Sequence, residues 1–73
     1  MNRNIWLEVC DACGVTCETE KVTETDLLVI DHLNDFYGRA SRNKGYQGQS
    51  CSVLMQEQTP DGREITLLEI PII

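Results

Sequence analysis

Three stretches of the chain have the apolar and β-branched content that β-strands favour. I-W-L-E-V, at residues 5–9, is rich in strand formers and leads directly into a group of cysteines. The last third of the chain predicts a hairpin with arms at residues 51–56 and 65–70. Between these arms, T-P-D-G at residues 59–62 places proline and glycine where a type I turn favours them. Pro71 cannot donate a hydrogen bond to a strand ladder, so we expect it to end the second arm.

One segment has the spacing of a helix, because apolar and aromatic residues recur at three- and four-residue intervals from position 29 to position 40. T-E-T-D at residues 23–26 is an acceptable capping box. Acidic residues at the start and arginines at the end suit the helix dipole. The pattern predicts a helix over residues 24–37, reaching Ala40 at most, with Gly38 as a stop. Residues 41–50 contain two glycines and no period, which predicts a mobile loop.

The order of the predicted elements is strand, cysteine-rich turn, helix, loop and hairpin. This order indicates one small α+β domain over residues 1–73, with a helix packed on a small antiparallel sheet and a cysteine knuckle near the N-terminus. We expect residues 71–73 either to dock on the core or to form a flexible tail. A domain of this length buries only about 60% of the surface its unfolded chain exposes, so a metal, a disulfide or a partner often adds stability.

The stretch V-C-D-A-C-G-V-T-C contains three of the four cysteines and allows three interpretations. The first is a structural zinc site, because Cys10 and Cys13 have the Cys-x-x-Cys-Gly spacing of half such a site. Cys17 and Cys51 would complete it, or His32 would replace one cysteine. The second is a redox centre, which needs this motif at a helix start within a βαβ unit. The third is that Cys13, Cys17 and Cys51 are small buried apolar side chains.

The charge is unevenly distributed and bears on the kind of partner. The net charge of −6 divides into −6 over residues 1–37, +3 over residues 38–50 and −3 over residues 51–73. Affinity for nucleic acid comes largely from cations facing phosphates, so an acidic chain suits a basic protein partner better. The candidate contacts for a basic protein are two carboxylates on the predicted helix, Asp31 and Asp35. The candidate contacts for phosphate or RNA form a basic run: Arg39, Arg42 and Lys44.

Other features of the composition favour a binding protein over an enzyme. The chain has only four aromatic residues, of which we expect Trp6 to lie in the core, and no phosphate-binding loop or nucleophile elbow. No stretch approaches the ~20 apolar residues that a membrane helix needs, and residues 1–4 lack the apolar run of a secretory signal. We therefore expect a cytoplasmic protein. In the cytoplasm, clustered cysteines are more often metal ligands or redox groups than disulfides.

The whole chain resembles the small phage-encoded regulators of bacterial RNA polymerase. The likeness rests on the length, the opening M-N-R-N-I-W-L-E-V-C-D-A-C-G, and an acidic helix followed by a basic loop. The resemblance implies a non-enzymatic protein in the cytoplasm of the bacterial host. It implies binding near the RNA exit channel, at the flap of the β subunit and the N-terminus of the β′ subunit, with nascent RNA nearby. It also implies displacement of the σ factor at initiation and suppression of termination. A zinc-knuckle module that binds nucleic acid is the alternative.

A bound zinc ion would be visible in the intact mass of the protein under native conditions and would disappear with a chelator. Because structural zinc sites supply folding free energy, replacing Cys10 with serine is then expected to unfold the domain. A metal-free native mass, together with a folded Cys10→Ser variant, would contradict the zinc interpretation.

Overall fold

An antiparallel sheet with a helix on one side forms the fold in the computed structural model, which describes residues 4–22 and 29–72. The described elements are β1 (Asn4–Cys10), β2 (Thr16–Val22), α1 (Val29–Ser41), β3 (Ser52–Gln58) and β4 (Glu64–Pro71). The strand order in the sheet is β2-β1-β3-β4, and all three pairings are antiparallel. The predicted α+β class, with one helix on a small antiparallel sheet, is confirmed.

Strand β2 was not expected from the sequence, and it turns the cysteine-rich segment into the loop of a hairpin. The Asp11 amide donates to the Val15 carbonyl at 3.0 Å, and the Asp11 carboxylate accepts from the amides of Cys13 and Val15 at 2.9 and 3.0 Å. Gly14 has a φ of 83°, the left-handed conformation for which glycine is suited. The predicted turn is therefore confirmed, and it connects β1 to a strand that lies at the edge of the sheet.

The core lies between the sheet and α1. On β1, alternate residues Ile5, Leu7 and Val9 are almost fully buried, as the two-residue period of a strand requires when one face meets a helix. Leu33 and Phe36 are the buried residues from the middle of α1. The other buried members of this cluster are Val22, Ala40, Cys51, Val53 and Ile72.

The helix bounds differ from the prediction at the C-terminal end. Helix α1 continues through Gly38 to Ser41, so Gly38 is not the stop. Continuing the helix places Ala40 in the core, where it is 5% exposed, and this burial favours the helix beyond the glycine. At the other end, the predicted residues 24–28 and the capping box at 23–26 lie outside the described part of the chain.

The segment between α1 and β3 consists of hydrogen-bonded turns. The Tyr46 amide donates to the Asn43 carbonyl at 3.0 Å, and the Gln49 amide donates to the Tyr46 carbonyl at 3.2 Å. The Tyr46 hydroxyl donates to the Glu18 carboxylate at 2.6 Å, and this bond raises the pKa of Tyr46 to about 12. The predicted loop thus has an anchor on β2.

The segment after β4 docks on the core and is not a free tail over its described residues. Pro71 ends β4, as predicted. Ile72 is 6% exposed, and its amide donates to the Cys51 carbonyl at 2.9 Å. The Tyr37 hydroxyl donates to the Pro71 carbonyl at 3.1 Å, which fixes the same segment to α1. Ile73 lies outside the described residues.

Truncation of Leu7 is expected to cost much of the stability of so small a domain. Leu7 is fully buried, so Leu7→Ala removes apolar contacts and leaves a cavity, lowering the free energy of unfolding by about 2–5 kcal/mol. Leu67 on β4 is 38% exposed, and Leu67→Ala is a matched control that is expected to cost less than about 1 kcal/mol. Urea unfolding followed by circular dichroism measures the free energy of unfolding of both variants. Equal losses of stability would contradict the assignment of Leu7 to the core.

Candidate functional site

The face of the sheet opposite α1 carries the most organised polar cluster among the described residues. Because side chains alternate along a strand, Trp6, Glu8 and Cys10 point away from the face that carries Leu7 and its buried neighbours. Glu8 pairs across the sheet with Thr19 on one side and Leu54 on the other. We call this surface the open face; its residues include Trp6, Glu8, Cys10, Thr16, Thr19, Leu54, Gln56, Glu64 and Glu69.

Glu8 is a buried carboxylate at the centre of the open face. It is 7% exposed and accepts hydrogen bonds from Trp6 Nε1 at 3.0 Å, from Cys10 Sγ at 3.0 Å and from Thr16 Oγ1 at 2.9 Å. Gln56 also hydrogen-bonds this side chain. Burial alone would raise the pKa of Glu8, but these hydrogen bonds stabilise the charged form more strongly and the pKa is lowered. Glu8 is therefore ionised at neutral pH and is held by neutral donors.

Cys10 serves as a hydrogen-bond donor in this cluster. Burial and the hydrogen bond to Glu8 raise the pKa of the Cys10 thiol to about 11. Since only the thiolate is nucleophilic, the thiol is poorly suited to redox chemistry at neutral pH. The arrangement instead uses the proton of Cys10 to satisfy the neighbouring carboxylate.

The four cysteines occupy different environments. Cys10 lies on the open face, Cys13 is exposed in the β1–β2 loop, and Cys17 is exposed on β2. Cys51 is buried in the core, as one interpretation predicted, whereas the same interpretation was wrong about Cys13 and Cys17. Within residues 4–22 and 29–72, no group of three or more histidine, cysteine or acidic side chains is placed to hold a metal ion. Zinc at these cysteines stays a prediction.

The helix carries the acidic pair that the sequence singled out, but one member already has a partner. Asp31 is exposed, whereas the Asp35 carboxylate accepts from Arg39 Nε at 3.0 Å, the four-residue pairing expected on a helix. Arg39 also donates to Glu20 on β2 at 3.2 Å, and its guanidinium carbon lies 5.6 Å from the Phe36 ring centroid. Arg39 therefore connects α1 to β2 at the surface, with its side chain 46% exposed.

A second acidic group, Glu20, is held by two side chains of the helix. His32 Nε2 forms a short contact with the Glu20 carboxylate, and Arg39 contacts the same carboxylate. These hydrogen bonds, first from His32 and then from Arg39, lower the pKa of Glu20 despite partial burial. Of the predicted basic run, Arg42 and Lys44 lie exposed in and beside the turns that follow α1.

Trp6 does not lie in the core as expected, because it is half-buried on the open face and donates to Glu8. Sequence reasoning also missed Glu8. The signal was present, since W-x-E-x-C alternates with I-x-L-x-V along β1 and places the three polar-capable side chains on one face. Weighing that alternation would have identified the cluster, although its contacts with Thr16 and Gln56 depend on strand pairing.

Comparison with models of known families, with curated proteins and with solved structures finds no match to this chain. None of the helical structure within residues 4–22 and 29–72 is long and apolar enough to cross a bilayer.

Replacing Glu8 with glutamine is expected to destabilise the protein at neutral pH. The amide presents an NH2 group to neighbours that are themselves donors, and leaving such a buried donor unsatisfied costs about 1–3 kcal/mol. Because the folded-state pKa of Glu8 is lowered, its contribution is present above the ordinary value of 4.5 and is lost as pH falls through the folded value. The difference in stability between wild type and Glu8→Gln should therefore shrink in acid.

Thermal or urea unfolding from pH 7 to pH 3 measures this difference. Glu69→Gln removes an exposed carboxylate from the same face and should change stability by less than about 0.5 kcal/mol at pH 7. A stability difference between wild type and Glu8→Gln that is constant with pH would show that the charge of Glu8 does not contribute to stability.

Proposed function

We propose that this chain is a non-catalytic regulator that binds bacterial RNA polymerase in the cytoplasm of a phage-infected host. The proposal combines the resemblance with one observation, the excess of negative charge that the fold presents at its surface. The chain has a net charge of −6, and Glu64 and Glu69 are among its exposed carboxylates. Such a surface favours association with a locally basic protein.

The internal hydrogen bonding also supports a binding role. The most organised polar group, Glu8, already accepts hydrogen bonds from Trp6, Cys10 and Thr16, and Cys10 is held as a neutral thiol. Groups with these partners are suited to fixing a surface and are poorly suited to transferring protons or attacking a substrate.

The mechanism follows from where such a protein would lie on the enzyme. Binding at the β-subunit flap and the β′ N-terminus, beside the RNA exit channel, would displace the σ factor and so inhibit initiation. The same position on elongating polymerase would suppress termination. Arg42 and Lys44, exposed in and beside the turns that follow α1, are the residues available to contact nascent RNA.

Purified RNA polymerase, as core enzyme and as holoenzyme, should be captured by the immobilised protein at moderate salt and released at high salt. The salt dependence follows because attraction between opposite surface charges is screened with a Debye length of about 8 Å at physiological ionic strength. A matched acidic protein of unrelated fold controls for ion exchange.

Failure to capture either form of a cognate host polymerase would contradict the proposal. Retardation of RNA by the isolated protein at low salt would favour the nucleic-acid-binding alternative instead. In that case, replacing Arg42 and Lys44 together should abolish the shift.

A further inference from the structure

We propose that the open face of the sheet is the docking surface for a basic protein segment, with an arginine side chain packed against Trp6. This inference rests on the proposed function for the identity of the partner as a protein. It differs from the acidic helix face suggested by the sequence, because it assigns the contact to the opposite side of the molecule.

The charge of the open face is the first argument. A shallow concavity of about 760 Å³ lies over it, and four carboxylates line that concavity: Glu8, Asp11, Glu64 and Glu69. Its lining contains no lysine, arginine or histidine. Lys21 on β2 is the cross-strand neighbour of Trp6 on the same face, so the four carboxylates outnumber this lysine and the face stays negative. The donors to Glu8 are Trp6, Cys10, Thr16 and Gln56, all neutral, so its charge is stabilised without being cancelled. The concavity is therefore complementary to a cation.

The carboxylates on the helix side of the sheet have different partners from those on the open face. The Glu20 carboxylate is contacted by Arg39 and His32, and Asp35 is paired with Arg39. These two carboxylates share the positive charge of Arg39, so their charge is partly compensated within the protein. A basic partner therefore finds more uncompensated charge on the open face.

The aromatic residue at this surface is the second argument. The Trp6 indole is half-buried, and its Nε1 is fixed to Glu8 at 3.0 Å, so little conformational freedom is lost when a partner packs on it. Tryptophan is the most favourable ring for a cation–π contact, and arginine makes that contact more often than lysine. Half-buried Leu54, opposite Glu8 on β3, adds apolar surface beside the ring.

Arginine also fits the flanking carboxylates. Glu69 is the β4 neighbour of Leu54, and Glu64 begins the same strand, so both lie on the β4 side of the concavity. The planar guanidinium donates two parallel hydrogen bonds to a carboxylate while its face stacks on an aromatic ring. The same carboxylates repel the phosphates of nucleic acid, which makes RNA the unfavoured occupant.

Trp6 is the only tryptophan of the chain, so its fluorescence reports on this face directly. Titration with a hexa-arginine peptide at low salt should change the Trp6 emission in a saturable way, whereas a hexa-glutamate peptide should not. The double variant Glu64→Gln/Glu69→Gln should bind hexa-arginine about fivefold more weakly or worse, since two ion pairs are lost. The matched control Asp31→Asn/Asp35→Asn, with the same change in charge, should bind within about twofold of wild type.

The second measurement is capture of RNA polymerase by two charge-reversal variants of equal net charge. Capture should be lost in Glu64→Lys/Glu69→Lys and retained in Asp31→Lys/Asp35→Lys, with circular dichroism confirming that both are folded. Loss only in the helix variant, or equal loss in both, would overturn the assignment while leaving polymerase binding intact. If wild type captures no polymerase, the proposed function fails, and the fluorescence titration alone decides whether the open face binds arginine. An unchanged Trp6 emission on addition of hexa-arginine would overturn the proposal that the open face binds arginine.

Discussion

Strand β1 is hydrogen-bonded on both sides, and this constraint organises the rest of the molecule. Pairing with β2 and with β3 fixes which side chains of β1 point to each face. A shift of one residue in either register would bring Glu8 into the apolar core and Leu7 onto the surface. The burial of Leu7 and the hydrogen bonding of Glu8 are therefore two results of one alignment, and a change in either register would disturb both.

The protein stabilises its carboxylates in two ways, with different effects on its external field. Glu20 is contacted by Arg39 and His32 from the helix, which connects β2 to α1 and places the positive charge of Arg39 beside the carboxylate. Glu8 is contacted by an indole, a thiol, a hydroxyl and an amide, which satisfy its oxygens and leave the charge in place. As a result, the charge of Glu20 is partly compensated by Arg39, whereas the charge of Glu8 is not compensated by its own hydrogen-bond donors.

Elements whose signals are local were predictable from the sequence. β1, the C-terminal hairpin and the middle of α1 each have the apolar content or the turn residues that specify them, and the structure contains all three. β2 has no such signal, because T-C-E-T-E-K-V is mostly polar and is held at the sheet edge by pairing with β1. Gly38 was predicted to end the helix because glycine has a low helix propensity, but burial of Ala40 outweighs that preference.

The candidate site was less predictable for a related reason. Asp35 and Arg39 were identified together because a helix places residues four apart side by side. The cluster around Glu8 draws on β1, β2 and β3, so only strand register brings its members together. Trp6 was expected in the core because the domain is so small, whereas its position in the alternation with Leu7 places it on the opposite face.

The outer edge of β4 has a further consequence for the behaviour of the protein in concentrated solution. The strand pairs with β3 on one side, and it carries three partly exposed apolar residues, Ile65, Leu67 and Leu68. An apolar strand at a sheet edge is a template for aggregation with other copies of the chain. Glu64 and Glu69 lie on this strand, and the pairing with β3 is interrupted by a bulge between Met55 and Gln56. Like charges and an irregular edge both oppose edge-to-edge pairing between the β4 strands of two copies. The acidity of this strand therefore also opposes self-assembly.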